Sequence, residues 1–263
     1  MDLGLRGRVA VVGGASRGLG RACAEALADE GARVVVCSRE QQTLEQTARE
    51  IERRSEVDVV PIVCDQTSAE DIDCLIERVL SLFGRIDVLV NNTGGPPPGL
   101  FLDHDDGDWQ AAFEGLVLSV VRLCRGVLPI MRERGWGRIV TNTSFTVKEP
   151  AERLVLSNAL RAAVVALSKT ISREVAGDGI TVNCVCPGAF DTDRLRALFD
   201  EQADASGRSA GEVRAQWEAR IPIGRVSRPE ELAALVTFLA SEQAASITGG
   251  CFPVDGGLLR SLF

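Results

Sequence analysis

Seven short runs of β-branched and aliphatic residues, at 9–12, 33–37, 57–63, 86–91, 138–142, 180–186 and 251–254, punctuate the chain. Between them lie helix-length segments at roughly 18–30, 40–54, 68–83, 106–134, 153–177 and 229–241. Strands that are apolar throughout, rather than alternating, are those covered by helices on both faces of a parallel sheet. Strict alternation of strand and helix then requires right-handed crossovers. It implies an α/β fold with a doubly wound parallel sheet of about seven strands and helices on both faces. No linker-like tract, repeat or charge block divides the 263 residues, so a single domain over 1–263 is expected. A polar, irregular stretch near 190–225 reads as a helical flap beside the substrate site.

Composition removes several classes of function. No apolar stretch approaches the ~18 residues needed to cross a bilayer; the runs at 115–121 and 162–168 end at Arg122 and Lys169. The first residues carry no charged-then-apolar leader, so a cytoplasmic protein with no membrane partner is expected. The net charge is −8 with scattered basic residues, which disfavours a nucleic-acid partner. Eight cysteines fall singly in periodic segments and there is one histidine, His104, so buried, reduced packing thiols and no metal site are expected. Two scarcities bear on chemistry: the chain has no tyrosine, and only Lys148 and Lys169 among its 29 basic residues are lysines.

In a doubly wound sheet ligands bind at the carboxyl ends of the strands, near the point where strand order reverses. The first strand runs into Gly13-Gly14-Ala15-Ser16-Arg17-Gly18-Leu19-Gly20 and then a helix. Glycines there let the main chain approach a diphosphate, and the helix start offers free N–H groups. The spacing of Gly14, Gly18 and Gly20 is weak evidence alone and stronger directly after a first strand. The second strand ends at Cys37-Ser38-Arg39 with no carboxylate between Val34 and Arg39. A ribose 2′-hydroxyl favours an acid at this position, whereas Arg39 and Arg17 suit a 2′-phosphate. NADP(H) is therefore favoured over NAD(H), the alternative being two solvated surface arginines.

Taken with downstream segments, these residues resemble the short-chain dehydrogenase/reductase family, whose ordered motifs extend here from Gly7 to Gly257. Gly13 departs from the threonine usual in that family. The resemblance implies a Rossmann-type fold. It implies cofactor contacts from Gly14, Ser16, Arg17, Gly18, Leu19, Gly20, Ser38 and Arg39, and from Asp65 and Gln66 after the third strand. It implies further contacts from Asn92, Thr93 and Gly94 after the fourth strand, from Arg161, and from Pro187, Gly188, Phe190 and Thr192 after the sixth, with Asn183 in the same motif. Ile247-Thr248-Gly249 and Val254-Asp255-Gly256-Gly257 resemble the family's carboxyl-terminal signature.

The catalytic positions depart from that pattern. The family uses a Ser, a Tyr thirteen residues on, a Lys four further on, and an upstream Asn. Counting from Ser144 gives Ser157 and Arg161, and the Asn position holds Leu116. A serine hydroxyl is a far weaker acid than a phenol, and a guanidinium binds oxygens but does not shuttle protons. Loss of acid–base help typically costs about 10²–10⁴ in rate. Lys148, on the loop between Ser144 and Ser157, is the candidate substitute donor; the competing reading is a solvated pair with Glu149 or Glu152. His104, within an acidic run that reads as helix capping, is expected to be exposed.

The pocket is expected from residues 96–101, 145–155 and the flap. Gly115, Ser119 and Gly126 on one long helix, and Ala159, Ala162, Ala163 and Ala166 on the other, suggest a homodimer or homotetramer, as the resemblance implies. The leading expectation is an atypical NADP(H)-dependent oxidoreductase acting on a carbonyl or hydroxyl group of a small-molecule substrate, with Ser144, Ser157, Arg161 and Lys148 at the reacting centre. The alternatives are a non-redox isomerase, dehydratase or cyclase on the same scaffold, or a non-catalytic NADP(H)-binding protein.

Overall fold

A computed structural model describes residues 2–262. Its strands are β1 (Val9–Gly13), β2 (Arg33–Ser38), β3 (Val59–Val63), β4 (Val88–Asn91), β5 (Gly137–Asn142), β6 (Ile180–Pro187) and β7 (Cys251–Val254). They form one parallel sheet in the order β3-β2-β1-β4-β5-β6-β7. The helices are α1 (Gly18–Asp29), α2 (Gln41–Ser55), α3 (Ala69–Phe83), α4 (Asp106–Phe113), α5 (Ser119–Arg134), α6 (Val155–Val175), α7 (Asp193–Ser206), α8 (Ala210–Glu218) and α9 (Pro229–Leu239). The fold is the doubly wound α/β arrangement expected from the alternation. Strands β3 and β4 come up two short at their starts because the apolar runs begin before the ladder does. After β3 the chain crosses to the other side of β1, so the order reverses between β1 and β4.

Two apolar layers flank the sheet. On one face α1 and α9 cover Val12, Val34, Val36 and Val90; on the other, α3, α5 and α6 cover Val11, Val35, Leu89 and Ile139. This two-sided burial is why the strands read as continuous apolar runs. Helices α7 and α8 enclose a small cluster of their own, Phe199, Ala203, Val213 and Val226, against Trp217. The amino ends of β1 and β4 are joined by Asp87, fully buried. It accepts from the Val9 N–H at 2.8 Å and from Arg85 Nε at 2.7 Å, with Arg8 at 3.5 Å.

The long segment expected as one helix is interrupted. A π turn, Glu114–Leu118, separates α4 from α5, with Leu116 buried at its middle. The small-residue face of α5 turns inward in part: a Cβ on Gly126 would overlap Ile76 of α3, and Ser119 is fully buried. Ala159, Ala162, Ala163 and Ala166 of α6 are exposed.

The cysteines need two corrections. Cys74 is exposed on α3, and the Cys186 and Cys251 thiols lie 2.9 Å apart on neighbouring strands. The others expected in the core are buried, and burial pushes the thiols of Cys23, Cys124 and Cys184 up to about 12. No helix among the described residues is long and apolar enough to cross a membrane.

Two outcomes follow. Asp87→Asn removes the charge from a buried, fully bonded carboxylate and should cost about 1.5–3 kcal/mol in urea unfolding. Native-state alkylation followed by mass spectrometry should label Cys74 first and spare Cys23, Cys124 and Cys184.

Candidate active site

The glycine turn lies at the reversal point, pressed between β1 and β4. A Cβ on Gly13 would come 2.7 Å from the Gln66 amide nitrogen and 2.9 Å from the Asn92 carbonyl. One on Gly20 would come 2.7 Å from Asn92 Nδ2 and 2.8 Å from the Gly13 carbonyl. Main-chain oxygens leave no room for a side chain at Gly20, whereas at Gly13 the Asn92 carbonyl crowds the site and Gln66 is the end of a flexible side chain. Asn92 holds the turn in place. Its Nδ2 donates to the carbonyls of Gly13 at 3.1 Å and Gly14 at 3.4 Å, while its Oδ1 accepts from Asn142 Nδ2 at 2.7 Å. On the far side the Ser16 carbonyl accepts from Thr47 Oγ1 of α2 at 2.9 Å.

Arg17 precedes α1 in extended conformation, and no side chain caps that helix. Its first N–H groups and positive dipole end are therefore left for an anion. Across the crevice α7 begins at Thr192, whose methyl group lies 3.4 Å from the position of a Gly18 Cβ. Two helix N-termini thus converge. Around them Ser38 Oγ, Gln66 Oε1 and Asn142 Oδ1 are buried with no partner inside the protein. Orphaned buried oxygens cost about 1–3 kcal/mol each unless a ligand or water satisfies them. The residues present fit a dinucleotide laid across the strand ends. Asp65 is partly engaged: the Thr67 N–H at 3.0 Å and hydroxyl at 2.8 Å hold its carboxyl below the usual range, with Arg39 nearby adding to the effect.

The other end of the crevice carries the expected reacting groups. Ser144 follows β5, and its hydroxyl accepts from the Thr146 N–H at 3.2 Å. Ser157 is 7% exposed in the first turn of α6, and Arg161 stands one turn on, along the same face. Arg161 donates to the carbonyls of Asn142 at 3.2 Å and Gly94 at 3.3 Å, bridging the ends of β4 and β5. Lys148 is half-buried and forms no ion pair among the described residues, so the solvated pairs with Glu149 and Glu152 are absent. The Cys186 thiol is held below its usual value by hydrogen bonding to Cys251 and to Thr143 and by the Lys148 charge, burial opposing.

The pocket loops do meet. Gly99 N–H donates to the Arg153 carbonyl at 2.7 Å, and Gly99 forms a parallel bridge with Leu154. Arg153 carries a left-handed φ of 57° there, a strained conformation for a non-glycine residue. The π turn packs against α6, and such turns recur at functional sites.

Three expectations change. His104 is buried, its side chain 4% exposed, with Nδ1 3.3 Å from Asp108 Oδ2 and its ring pressed on Gly99. The acidic run conceals a residue that holds the pocket loop. Phe190 sends its ring into the core, leaving only its main chain for a ligand. The Asn183 amide donates to the Ile247 carbonyl at 2.7 Å and accepts from the Gly250 N–H at 3.0 Å, stitching β6 to the approach of β7. Pro187 is buried, Gly188 is pinned by its N–H to the Val254 carbonyl at 2.9 Å, and Thr93 is half-buried beside Asn92. Leu19 packs on the core beneath the turn. Sequence reasoning missed Asn142 and Arg194. A cation in the first turn of a helix opposes the dipole and was the available signal for Arg194.

A profile described as enoyl-(acyl carrier protein) reductase matches residues 14–259. The 3-oxoacyl-[acyl-carrier-protein] reductase FabG of Escherichia coli is 36% identical over 97% of this chain and 99% of its own. The chain belongs to the short-chain dehydrogenase/reductase family. Another relative, the NADPH-dependent reductase BacG of Bacillus subtilis, is 32% identical over 97% of this chain and 99% of its own. Among solved structures, L-sorbose reductase from Gluconobacter frateurii, complexed with NADPH and L-sorbose, superposes with a TM-score of 0.96 at 37% identity, covering both chains fully. As a short-chain dehydrogenase/reductase the chain is an oxidoreductase by family, and its crevice lies where that fold binds dinucleotides.

Gly20→Ala should abolish detectable dinucleotide binding in calorimetry while leaving a cooperative thermal transition, because the Cβ meets the turn and Asn92 rather than the core.

Proposed function

We propose that this short-chain dehydrogenase/reductase is an NADPH-dependent reductase of a small carbonyl compound, with proton delivery reassigned from a phenol to Lys148. The observation that carries the reading is the half-buried Lys148, without an ion-pair partner among the described residues, on the turn that Ser144 begins and α6 packs against. The relatives named as NADPH-dependent or complexed with NADPH support the cofactor. So does the local chemistry. Arg17 and Arg39 are exposed at the ends of the glycine turn and β2, without ion-pair partners among the described residues. The adjacent acid, Glu40, turns back to cap α2 through the Thr43 N–H at 3.3 Å. A 2′-phosphate would meet two guanidiniums there, while the nearby carboxylates of Glu40 and Asp65 are engaged by Thr43 and Thr67.

When bound, NADPH would supply the hydride that reduces the carbonyl carbon. Ser144 and Ser157 donate to the carbonyl oxygen and fix its position. Lys148 gives that oxygen its proton, and bulk water reprotonates the amine. Arg161, already bridging the ends of β4 and β5, holds the nicotinamide-side ribose. The flap over residues 190–225 closes the substrate side within the single domain. The exposed alanine face of α6 supports a homo-oligomer, without fixing its size.

With a panel of small ketones and aldehydes, Lys148→Met should lower kcat by about 10²-fold or more and leave NADPH affinity within about threefold. Turnover of Lys148→Met equal to the parent's would remove Lys148 from the reaction. Arg39→Ala should raise KM for NADPH about tenfold and leave that for NADH unchanged. Product formed without change in nicotinamide absorbance would instead favour the non-redox reading, and tight NADPH binding with no conversion the binding-only one.

A further inference from the structure

Three arginines of this flap, Arg196, Arg214 and Arg225, are matched with acids. Arg196 pairs with Asp191 at 2.9 Å and Asp193 at 3.3 Å, and Arg214 pairs with Asp191 at 3.6 Å and Glu218 at 2.9 Å. Arg161 and Arg194, like Arg17 and Arg39 at the other end of the crevice, form no ion pair among the described residues. Both guanidiniums rest on the same short stretch of main chain. Arg161 donates to the Gly94 carbonyl, Arg194 donates to the Pro96 carbonyl at 3.4 Å, and a Cβ on Gly95 would overlap the Arg194 guanidinium. Arg194 therefore spans the crevice mouth, from the N-terminus of α7 to the loop after β4. Burial, with the Arg194 charge beside it, lowers Arg161 to about 10, so both stay cationic at neutral pH and repel one another. The carbonyl dipoles beneath them offset that repulsion only in part, and the α7 dipole adds to it. Two adjacent cations without an acid, each with N–H donors left over, are chemically matched to one oxyanion.

We propose that Arg161 and Arg194 form a two-guanidinium oxyanion site that closes over the bound ligands at the crevice mouth. This deepens the reductase reading and rests on it for the choice of ligand. The oxyanion is a carboxylate or phosphate, and it has two possible sources. One is a substrate bearing an acid group next to its carbonyl end; the other is the diphosphate of the dinucleotide.

Calorimetry on the parent chain, Arg194→Gln and Arg194→Lys separates them. Inorganic pyrophosphate, NADPH, and 2-oxo acids against their methyl esters in the presence of saturating NADPH serve as probes. Arg194→Gln should weaken pyrophosphate about tenfold or more, with partial recovery in Arg194→Lys. An equal loss for NADPH assigns the site to the diphosphate. NADPH affinity within twofold of the parent, with loss of the preference for acid over ester, assigns it to the substrate. Unchanged affinity for all three probes in Arg194→Gln overturns the proposal. A parent chain that fails to bind NADPH defeats the reductase reading instead, and the pyrophosphate arm still decides the oxyanion site.

Discussion

One side-chain amide connects what the rest of the site depends on. Asn92 ties the Gly13–Gly14 carbonyls to the end of β4 and, through Asn142, to the end of β5. A glycine turn is conformationally free, and such freedom is lost on binding at a cost in affinity. Anchored from one side by Asn92 and from the other by Thr47, the turn is held in its binding shape before any ligand arrives. The close approach of Gly13 and Gly20 to the same asparagine follows from that constraint, as does the uncapped start of α1.

The chemistry at the other end is shaped by what is missing. Without a tyrosine the chain has no phenol to place at Ser157, and the guanidinium of Arg161 is a binder rather than a proton carrier. What the fold supplies instead is positive charge: Lys148, Arg161 and Arg194 stand at the strand ends with no carboxylate paired to any of them among the described residues. In the proposed reaction, positive charge there would stabilise negative charge developing on a carbonyl oxygen.

The doubly wound sheet and the glycine turn at its reversal point were legible because each rests on local pattern: unbroken apolar strands, and a glycine turn after the first; the strand order comes from the packed chain. The π turn was not, since residues 114–118 keep a helical apolar rhythm and the extra residue per turn changes which side chain faces α6 without changing composition. His104 was misread because its acidic neighbours dominate the local sequence, whereas its burial is decided by Gly99, bridged to Leu154 from a distant segment. The Cys186–Cys251 approach and the Arg161–Arg194 pairing join residues 65 and 33 positions apart, and only the packed chain reveals them.

Amide hydrogen exchange, read by mass spectrometry with and without NADPH, tests most directly whether the crevice is where the dinucleotide lies. Slowed exchange should be confined to peptides covering 13–20, 38–41, 64–67, 91–95, 142–161 and 188–195, the segments that converge there. Protection elsewhere, or none at saturating NADPH, would contradict the account.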